Sequence, residues 1–428
     1  MTRASQKPRT LIVVGGGPKA LAIHAKAAAL RELGHPVPAV VILEHQGVGA
    51  HWRGDAGYTN GKLDLVTKPE KDLGFPYTSR FGTAVDQRIW KYSWQAYKSQ
   101  RGDYAHWLDS DRPQQKHSDW AEYLRWAAKV SGADVIPGKV TRIEISKDRW
   151  AVTYVPNESP LETKQLYATG LVITGPGEAR RLDKHQDDHP NISDGKSFWL
   201  PGCLDDFATL ESGRIAIIGG GDTAAAVAIG LLNTLPRSAD VEIDLFIPRG
   251  MSLSRGESLG ESKWSSDPRG WEKFTIAARQ EFLEHTERGV FSLAPKKLLD
   301  QAKNVFERPG RVVSARMTGK QVEVALKGET TPQLYRRAIV ATGFKPWYFY
   351  KFFPDWSLFP FFSRQRLYAE KELLLSKRIR YDLSYDERWE PKLFLPMLAG
   401  LRRGPGFPNL GCLGLLSDRI LGAYVLPT

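Results

Sequence analysis

One stretch of sequence decides the fold: Leu11-Ile12-Val13-Val14-Gly15-Gly16-Gly17-Pro18-Lys19-Ala20. Its consecutive apolar residues predict a strand that is buried on both faces of a parallel sheet. Gly15 permits the tight turn that follows, Gly17 lets the backbone approach a diphosphate, and Ala20 allows the next helix to pack closely on the strand. Because the first N–H groups of that helix then face the phosphates, the stretch predicts a dinucleotide site.

The residues that follow complete a βαβ unit. Apolar residues at helical spacing continue to Gly34, where a C-cap is expected. Val40-Val41-Ile42-Leu43 then predicts a second buried strand, and it ends at Glu44. A carboxylate at this position, about 20 residues after the turn, accepts hydrogen bonds from the adenosine ribose. The residues predicted to bind this first dinucleotide are Gly15, Gly17, Pro18, Lys19, Ala20 and Glu44.

The same pattern returns about 200 residues later. Ile215-Ala216-Ile217-Ile218 predicts the strand, an Ala-rich helix follows the glycine turn, and Ile243–Ile247 predicts the next strand. That strand is followed by Arg249 rather than by an acidic residue. An arginine there suits a ribose 2′-phosphate, so NADPH is predicted with NADH as the alternative, unless Arg249 is merely solvated. The residues predicted to bind this second dinucleotide are Gly219, Gly221, Asp222, Thr223, Ala224 and Arg249.

Two such units predict an α/β protein with two Rossmann-like dinucleotide-binding domains. Apolar strands that end in Thr-Gly, at Leu171–Gly175 and Ala338–Gly343, mark the exit from the first domain and the return to it. The first domain is therefore expected to be discontinuous, formed by residues 1–178 and 343–428. The C-terminal part should include a small helical substrate region. The second domain, with its connection, is expected at 179–342.

Composition limits the classes of function. A chain of 428 residues with 42% hydrophobic and 25% charged residues is typical of a globular protein of two or three domains. The formal charge is +12, but the sequence contains no dense Lys/Arg block. This favours attraction of phosphate-bearing cofactors over nucleic-acid binding. Cys203 and Cys412 alone exclude a disulfide framework and a redox-active cysteine pair. No stretch is long and apolar enough for membrane insertion, so a cytoplasmic protein is expected.

Other patterns have less specific interpretations. Gly256–Gly260 matches the G-x-S-x-G elbow of serine hydrolases, but polar residues precede it and the match is interpreted as accidental. His185 and His189 have metal-ligand spacing for a helix. They fall in the polar stretch 179–202, which is interpreted as a surface connection, so no metal is expected.

Aromatic residues raise two further questions. Trp90, Trp94 and Tyr97 are predicted to share one helix face, and Trp120 and Tyr123 another. Packed helices are favoured over a base-stacking surface. The aromatic run 344–362 fits either a packed core or a subunit interface, so a homo-oligomer stays open.

A family resemblance extends over nearly the full length. It is carried by Gly15–Ala22, Gly47–Trp52, Pro69–Tyr77, Tyr92–Tyr97, Ile217–Ala225, Arg288–Ser292, Leu393–Gly400 and Gly404–Gly422. On these stretches the chain resembles the flavin-dependent N-hydroxylating monooxygenases, most closely the lysine ε-N-hydroxylases of mycobactin and nocobactin siderophore pathways. The resemblance implies FAD in the first domain, NADPH in the second and O₂ as co-substrate.

The implied reaction adds oxygen to the reduced flavin as a 4a-hydroperoxide, whose distal oxygen is attacked by the side-chain amine of lysine. The alternatives are hydroxylation of ornithine or another amine, or a flavoprotein that oxidises NADPH without hydroxylation. Because the flavin supplies the chemistry, no catalytic side chain is assigned.

The resemblance also implies particular contacts. Further FAD contacts are implied at Trp52, Gly175, Ser417 and Leu421. Lys71 matches a lysine that binds the substrate carboxylate, and Ser262 and Glu287 stand where ornithine hydroxylases carry asparagines that grip the substrate. A carboxylate at Glu287 suits the substrate's α-ammonium. Arg336 and Phe344 also depart from the family pattern, which bears on substrate identity rather than on the fold.

Overall fold

The computed structural model describes residues 9–183, 186–354, 359, 368–387 and 389–425. The strands are β1 (Thr10–Val14), β2 (Ala39–Glu44), β3 (Asp134–Ser146), β4 (Arg149–Pro156), β5 (Lys164–Ala168), β6 (Gly170–Ile173), β7 (Glu178–Ala179), β8 (Ile192–Asp194), β9 (Ser212–Ile218), β10 (Asp240–Ile247), β11 (Val305–Pro309), β12 (Val312–Thr318), β13 (Gln321–Leu326), β14 (Gln333–Tyr335), β15 (Arg337–Val340), β16 (Phe344–Lys345) and β17 (Lys392–Phe394).

The α-helices within the same ranges are α1 (Pro18–Glu32), α2 (Ala50–Arg53), α3 (Thr83–Ile89), α4 (Trp94–Arg101), α5 (Tyr104–Asp109), α6 (His117–Val130), α7 (Asp205–Ala208), α8 (Asp222–Thr234), α9 (Leu259–Ser266), α10 (Ile276–Thr286), α11 (Leu293–Gln301), α12 (Tyr368–Ser376), α13 (Gly400–Arg403) and α14 (Leu413–Leu421). None of these described helices combines the length and the apolar content needed to cross a membrane.

The first sheet has seven strands in the order β17-β6-β1-β2-β3-β4-β5. At its centre β1 pairs in parallel with β2 and β6, with Leu11 opposite Val40 and Val13 opposite Ile42. Leu11 and Val13 are fully buried, as a strand covered on both faces requires. The C-terminal strand β17 pairs with β6, so the end of the chain returns to the sheet in which it began.

The second sheet has five parallel strands in the order β11-β10-β9-β15-β8. An antiparallel sheet of β12, β13 and β14 packs beside it through a separate apolar cluster. The predicted α/β class with two Rossmann-like units is therefore confirmed. Both glycine turns lie at the carboxyl ends of central parallel strands, which is the edge where α/β sheets bind ligands.

A short two-stranded link joins the two halves. Phe344 of β16 pairs with Ala179 of β7, and Lys345 pairs with Glu178. The expected domain boundaries fall at this link and remain a prediction.

The interpretation of 179–202 as a surface connection is wrong for its second half. There β8 extends the second sheet, and a 3₁₀ turn (Ser197–Trp199) buries Phe198 and Trp199 in the apolar core. His189 is exposed, and His185 lies outside the described residues. Across the described ranges, no three His, Cys, Asp or Glu side chains are grouped so that they could hold a metal ion.

The single helix face expected for Trp90, Trp94 and Tyr97 is also wrong. A 3₁₀ turn holds Trp90, and Ser93 then breaks the helix with an extended backbone and caps α4 by accepting the N–H of Ala96 at 3.1 Å. Trp94 and Tyr97 are buried, whereas Trp90 is 48% exposed. A serine that can cap a new helix thus outweighed the apolar periodicity across it.

Described residues of both remaining aromatic patterns lie in the core. Trp120 and Tyr123 lie on α6 as predicted and are fully buried. Of the run 344–362, Phe349, Phe353 and Phe359 are buried in the core of the first sheet. Residues 355–358 and 360–362 lie outside the described part of the chain.

Candidate active site

A cavity of about 1150 Å³ opens between the first glycine turn and the start of α8. It also reaches the end of α10 and the loop that precedes α14. The predicted site residues that line it are Gly15, Gly17, Pro18, Lys19, Glu44, Trp52, Lys71, Gly175, Asp222, Ser262 and Glu287. Residues predicted for the first dinucleotide, the second dinucleotide and the substrate therefore meet at one cavity.

The first glycine turn has the shape that a diphosphate needs. Gly15 has a φ of 101°, and a Cβ there would lie 2.5 Å from the Thr174 hydroxyl, so only glycine fits. At Gly17, by contrast, a Cβ would meet no atom within 4 Å. The Glu44 carboxylate accepts the N–H of Gly16 and lies beside the turn. The open approach at Gly17 and the uncapped start of α1 fit a bound diphosphate.

The Lys19 side chain is bound to backbone carbonyls and is not free to contact a phosphate. Its ammonium donates to the carbonyl oxygens of Pro408 and Asn409, at 2.7 and 3.2 Å. Burial lowers the pKa of this amine to about 8. Lys19 thus ties the first glycine turn to the loop before α14.

An aromatic wall follows the first turn along the cavity. The Trp52 ring lies 4.9 Å from His117 and 5.1 Å from His51, and His51 lies 4.2 Å from Tyr58, measured between ring centroids. Burial lowers the pKa of His51 to about 3 and that of His117 to about 4, so both imidazoles are neutral. Such a wall fits a planar ring system. Sequence reasoning missed His51, Tyr58 and His117, although His51 stands next to Trp52 in a family stretch.

The second glycine turn packs tightly. Gly219 has a φ of 153°, and a Cβ there would lie 2.3 Å from the Ala341 carbonyl oxygen. Gly219, Gly221, Thr223 and Ala224 do not line the cavity, and Ala224 is fully buried against the second sheet. These residues therefore shape the turn. Asp222, the first residue of α8, is the part of this region that lines the cavity.

Asp222 is held by charged and polar partners. One carboxylate oxygen accepts the N–H of Ser292 at 2.8 Å and its hydroxyl at 3.1 Å. The other forms an ion pair with the Arg255 guanidinium, which also lines the cavity. Sequence reasoning did not identify Arg255, because nothing in its local sequence indicates that it reaches α8.

Arg249 does not reach the cavity. It is exposed after β10 and donates to the carbonyl and the carboxylate of Glu284, at 3.1 and 3.2 Å. The structure thus shows the solvated arrangement that the sequence left open. A 2′-phosphate contact at Arg249 would require these bonds to be exchanged, and it stays a prediction.

Two of the residues predicted to bind substrate, Lys71 and Glu287, are charged and line the cavity. Burial lowers the pKa of Lys71, and the nearby Glu287 carboxylate partly offsets this effect. Glu287 ends α10 and accepts the Asn409 side-chain amide at 3.1 Å, while burial raises its pKa. Ser262 on α9 lines the same cavity. Asn409 was missed by sequence reasoning, although it lies in the family stretch Gly404–Gly422.

Some predicted contacts are not brought to the cavity. Ser417 and Leu421 on α14 are fully buried, and the Ser417 hydroxyl donates to the Gly414 carbonyl at 2.9 Å. The cavity instead meets this part of the chain at Pro408–Gly411. Arg336 is exposed on the second domain, away from the cavity.

The match at Gly256–Gly260 does not form a hydrolase elbow. Ser258 caps α9 by accepting the Glu261 N–H at 3.1 Å, and the preceding strand already ends at Ile247. An exposed helix cap without a strand leading into it cannot supply the strained nucleophile turn.

Two Rossmann-like sheets, with the first glycine turn and the start of α8 lining one cavity, are typical of proteins that bind two dinucleotides. A family model described as L-lysine 6-monooxygenase/L-ornithine 5-monooxygenase matches residues 69–274. The chain is 38% identical over 430 residues to L-lysine N6-monooxygenase MbtG of Mycobacterium tuberculosis (strain CDC 1551 / Oshkosh), covering 97% of this chain and 95% of the relative. The chain belongs to this family of monooxygenases.

Solved structures agree with this assignment. The lysine monooxygenase NbtG from Nocardia farcinica superposes with a TM-score of 0.80 at 33% identity, covering 96% of this chain and 98% of the other. The ornithine hydroxylase PvdA from Pseudomonas aeruginosa superposes with a TM-score of 0.74, covering 97% and 98%; at 19% identity it shows the fold alone.

Proposed function

We propose that this chain is an FAD- and NADPH-dependent monooxygenase that hydroxylates the side-chain amine of L-lysine for hydroxamate siderophore biosynthesis. The observation that supports this most is that one cavity is lined by the first glycine turn, the aromatic wall, Lys71 and Glu287. Bound FAD, reduced by the nicotinamide cofactor, would supply the activated oxygen. The names of the 38%-identical relative and of NbtG support lysine as the substrate.

The first glycine turn binds the FAD diphosphate in this proposal. Gly17 leaves space for it, and the first N–H groups of α1 point at it. Glu44 accepts the ribose hydroxyls, for which its bond to Gly16 must be shared. Trp52 forms part of the wall beside the planar ring. The start of α8, where Asp222 lines the cavity, would correspondingly hold the NADPH diphosphate.

The amino-acid head group is assigned to Lys71 and Glu287, which line the same cavity. Lys71 carries the positive charge that suits the substrate carboxylate, and Glu287 carries the negative charge that suits the α-ammonium. Ser262 adds a residue with a hydroxyl to the lining of the same cavity. Fixing both charges of the head group directs the side chain, and with it the reacting amine, along the cavity.

The reacting amine has to be neutral before it attacks oxygen. A free lysine amine has a pKa near 10.4, so deprotonation near neutral pH costs roughly 4 kcal/mol. Burial lowers the pKa of Lys71, His51 and His117, all of which line this cavity. The same desolvation would act on the substrate ammonium and reduce the cost of losing its proton.

Product analysis with lysine and ornithine side by side tests the proposal. Purified protein with FAD, NADPH and either amino acid should form the hydroxylamine from lysine in preference. Ornithine is shorter by one methylene, which displaces its amine when the head group is fixed. Preferential hydroxylation of ornithine would overturn the substrate assignment, and peroxide without hydroxylamine would overturn the activity.

The two cysteines lie far apart in sequence and both are free, as in proteins of a reducing compartment. The proposal therefore places the enzyme in the cytoplasm.

A further inference from the structure

Arg255 is held beside the start of α8 by its backbone and its side chain. Its backbone N–H donates to the Phe291 carbonyl at 2.9 Å, and the Phe291 N–H donates to the Leu253 carbonyl at 2.7 Å. This pairing anchors the chain segment after β10. The guanidinium lines the cavity and contacts Asp222, the first residue of α8.

The guanidinium retains unused bonding capacity. Its ion pair with Asp222 uses a terminal nitrogen, whereas Nε is buried and has no hydrogen-bond acceptor among the described residues. An arginine offers five N–H donors in a planar fork, and a buried donor without an acceptor is unfavourable. The Arg255 side chain as a whole is 23% exposed and lines the cavity, so an oxygen acceptor that enters there could gain a charge-assisted bond from a terminal nitrogen.

The negative charge of Asp222 at the start of α8 makes a nearby cation necessary for phosphate binding. A diphosphate at the second glycine turn would lie at the start of α8, where the Asp222 carboxylate already stands. Without Arg255, that carboxylate would repel the phosphates. The contacts of Asp222 with Ser292 and Arg255 offset this repulsion and orient the guanidinium.

We infer that Arg255 binds the diphosphate of the nicotinamide nucleotide, and that Asp222 is a positioning residue for its guanidinium. The inference rests on the proposed function, since it requires a nucleotide at the second turn. Arg249 lies outside the cavity on Glu284, so it is not placed to serve the diphosphate.

Nucleotide titration of the FAD-loaded full chain tests this inference. Arg255→Gln should raise the Kd of both NADP⁺ and NAD⁺ by a similar factor, about tenfold, because both share the diphosphate. Calorimetry measures both values without turnover. Arg269→Gln is the matched control, because Arg269 is 90% exposed, pairs with Asp267 and lies outside the cavity. It should leave both Kd values unchanged.

Two results would overturn the inference. In one, Arg255→Gln binds both nucleotides like the wild type. In the other, it loses affinity for NADP⁺ alone, which would assign Arg255 to the 2′-phosphate. If the variant fails to load FAD, the wild-type protein is instead modified with phenylglyoxal, with and without nucleotide, and the modified arginines are identified by peptide mapping. Both nucleotides should protect Arg255, and absence of protection overturns the assignment. Failure of the proposed function would instead appear as wild-type protein that binds nucleotide but forms no hydroxylamine.

Discussion

Lys26 and Asp418 form a buried ion pair between the first helix of the chain and the last. Their side chains are 1% and 3% exposed, and the Lys26 ammonium lies 2.6 Å from the Asp418 carboxylate. The same carboxylate accepts the Ser79 hydroxyl at 2.8 Å and the Arg80 N–H at 3.0 Å. The helix that follows the first glycine turn is thus fixed to the C-terminal segment by a buried, hydrogen-bonded ion pair.

Removing one charge of this pair should destabilise the fold. Asp418→Asn leaves the Lys26 ammonium buried without its hydrogen-bonded carboxylate, which costs about 3–5 kcal/mol in the free energy of unfolding. Urea denaturation measures the loss. The control is Lys91→Met, because Lys91 and Glu32 form a pair with both side chains about two-fifths exposed. Such a surface pair contributes less than about 1 kcal/mol. Equal losses in both variants would contradict the structural role of Asp418.

Gly17→Ala should separate folding from FAD binding. The new Cβ meets no protein atom within 4 Å, so the variant should unfold like the wild type. It would, however, stand where the diphosphate approaches, and FAD affinity should fall by about tenfold or more, about 1.4 kcal/mol. Flavin content after dialysis and fluorescence titration check this. Unchanged FAD affinity would contradict the assignment of the diphosphate to Gly17.

Glu287→Gln should affect only substrates that carry an α-amine. Loss of a charge-assisted bond predicts about a tenfold to hundredfold lower kcat/KM with lysine. With 6-aminohexanoate, which lacks the α-amine, the variant should match the wild type. Glu281→Gln, an exposed change on the same helix, serves as control. An equal loss with both substrates would instead make Glu287 the acceptor of the reacting amine's proton.

His24 should make the fold sensitive to acid. Burial, with Arg31 adding to it, lowers the pKa of this imidazole from 6.5 to about 4. Between pH 6.5 and 4 the unfolded chain therefore binds a proton that the folded chain does not, so stability falls as the pH falls. Urea midpoints at pH 7 and 5 should differ less in His24→Gln than in the wild type. His285→Gln, an exposed change, should behave like the wild type; if His24→Gln does too, the assignment fails.

Local sequence was sufficient for the parts of the fold that depend on neighbours in the chain. The strands before each glycine turn, the turns themselves and Trp120 on α6 follow from apolar runs and periodicity. The same reasoning failed at Ser93, where a cap divides an otherwise periodic stretch. It also failed at β8, whose burial depends on a strand more than a hundred residues away.

The site was less accessible from the sequence. Asp222 meets Arg255, and Glu287 meets Asn409, across long separations in the chain that no local pattern encodes. Arg249 shows the converse case, because its position after β10 indicated a phosphate contact but its side chain lies on Glu284. The direction of a charged side chain after a strand depends on which oppositely charged residues lie near it in the fold.

The coupling of NADPH oxidation to product tests the central claim most directly. The FAD-loaded protein is mixed with NADPH and oxygen, with and without lysine, and both NADPH loss and hydroxylated lysine are measured. We predict hydroxylated lysine in amounts that account for most of the NADPH consumed when lysine is present. NADPH oxidation at the same rate with and without lysine, and no hydroxylated product, would contradict the account.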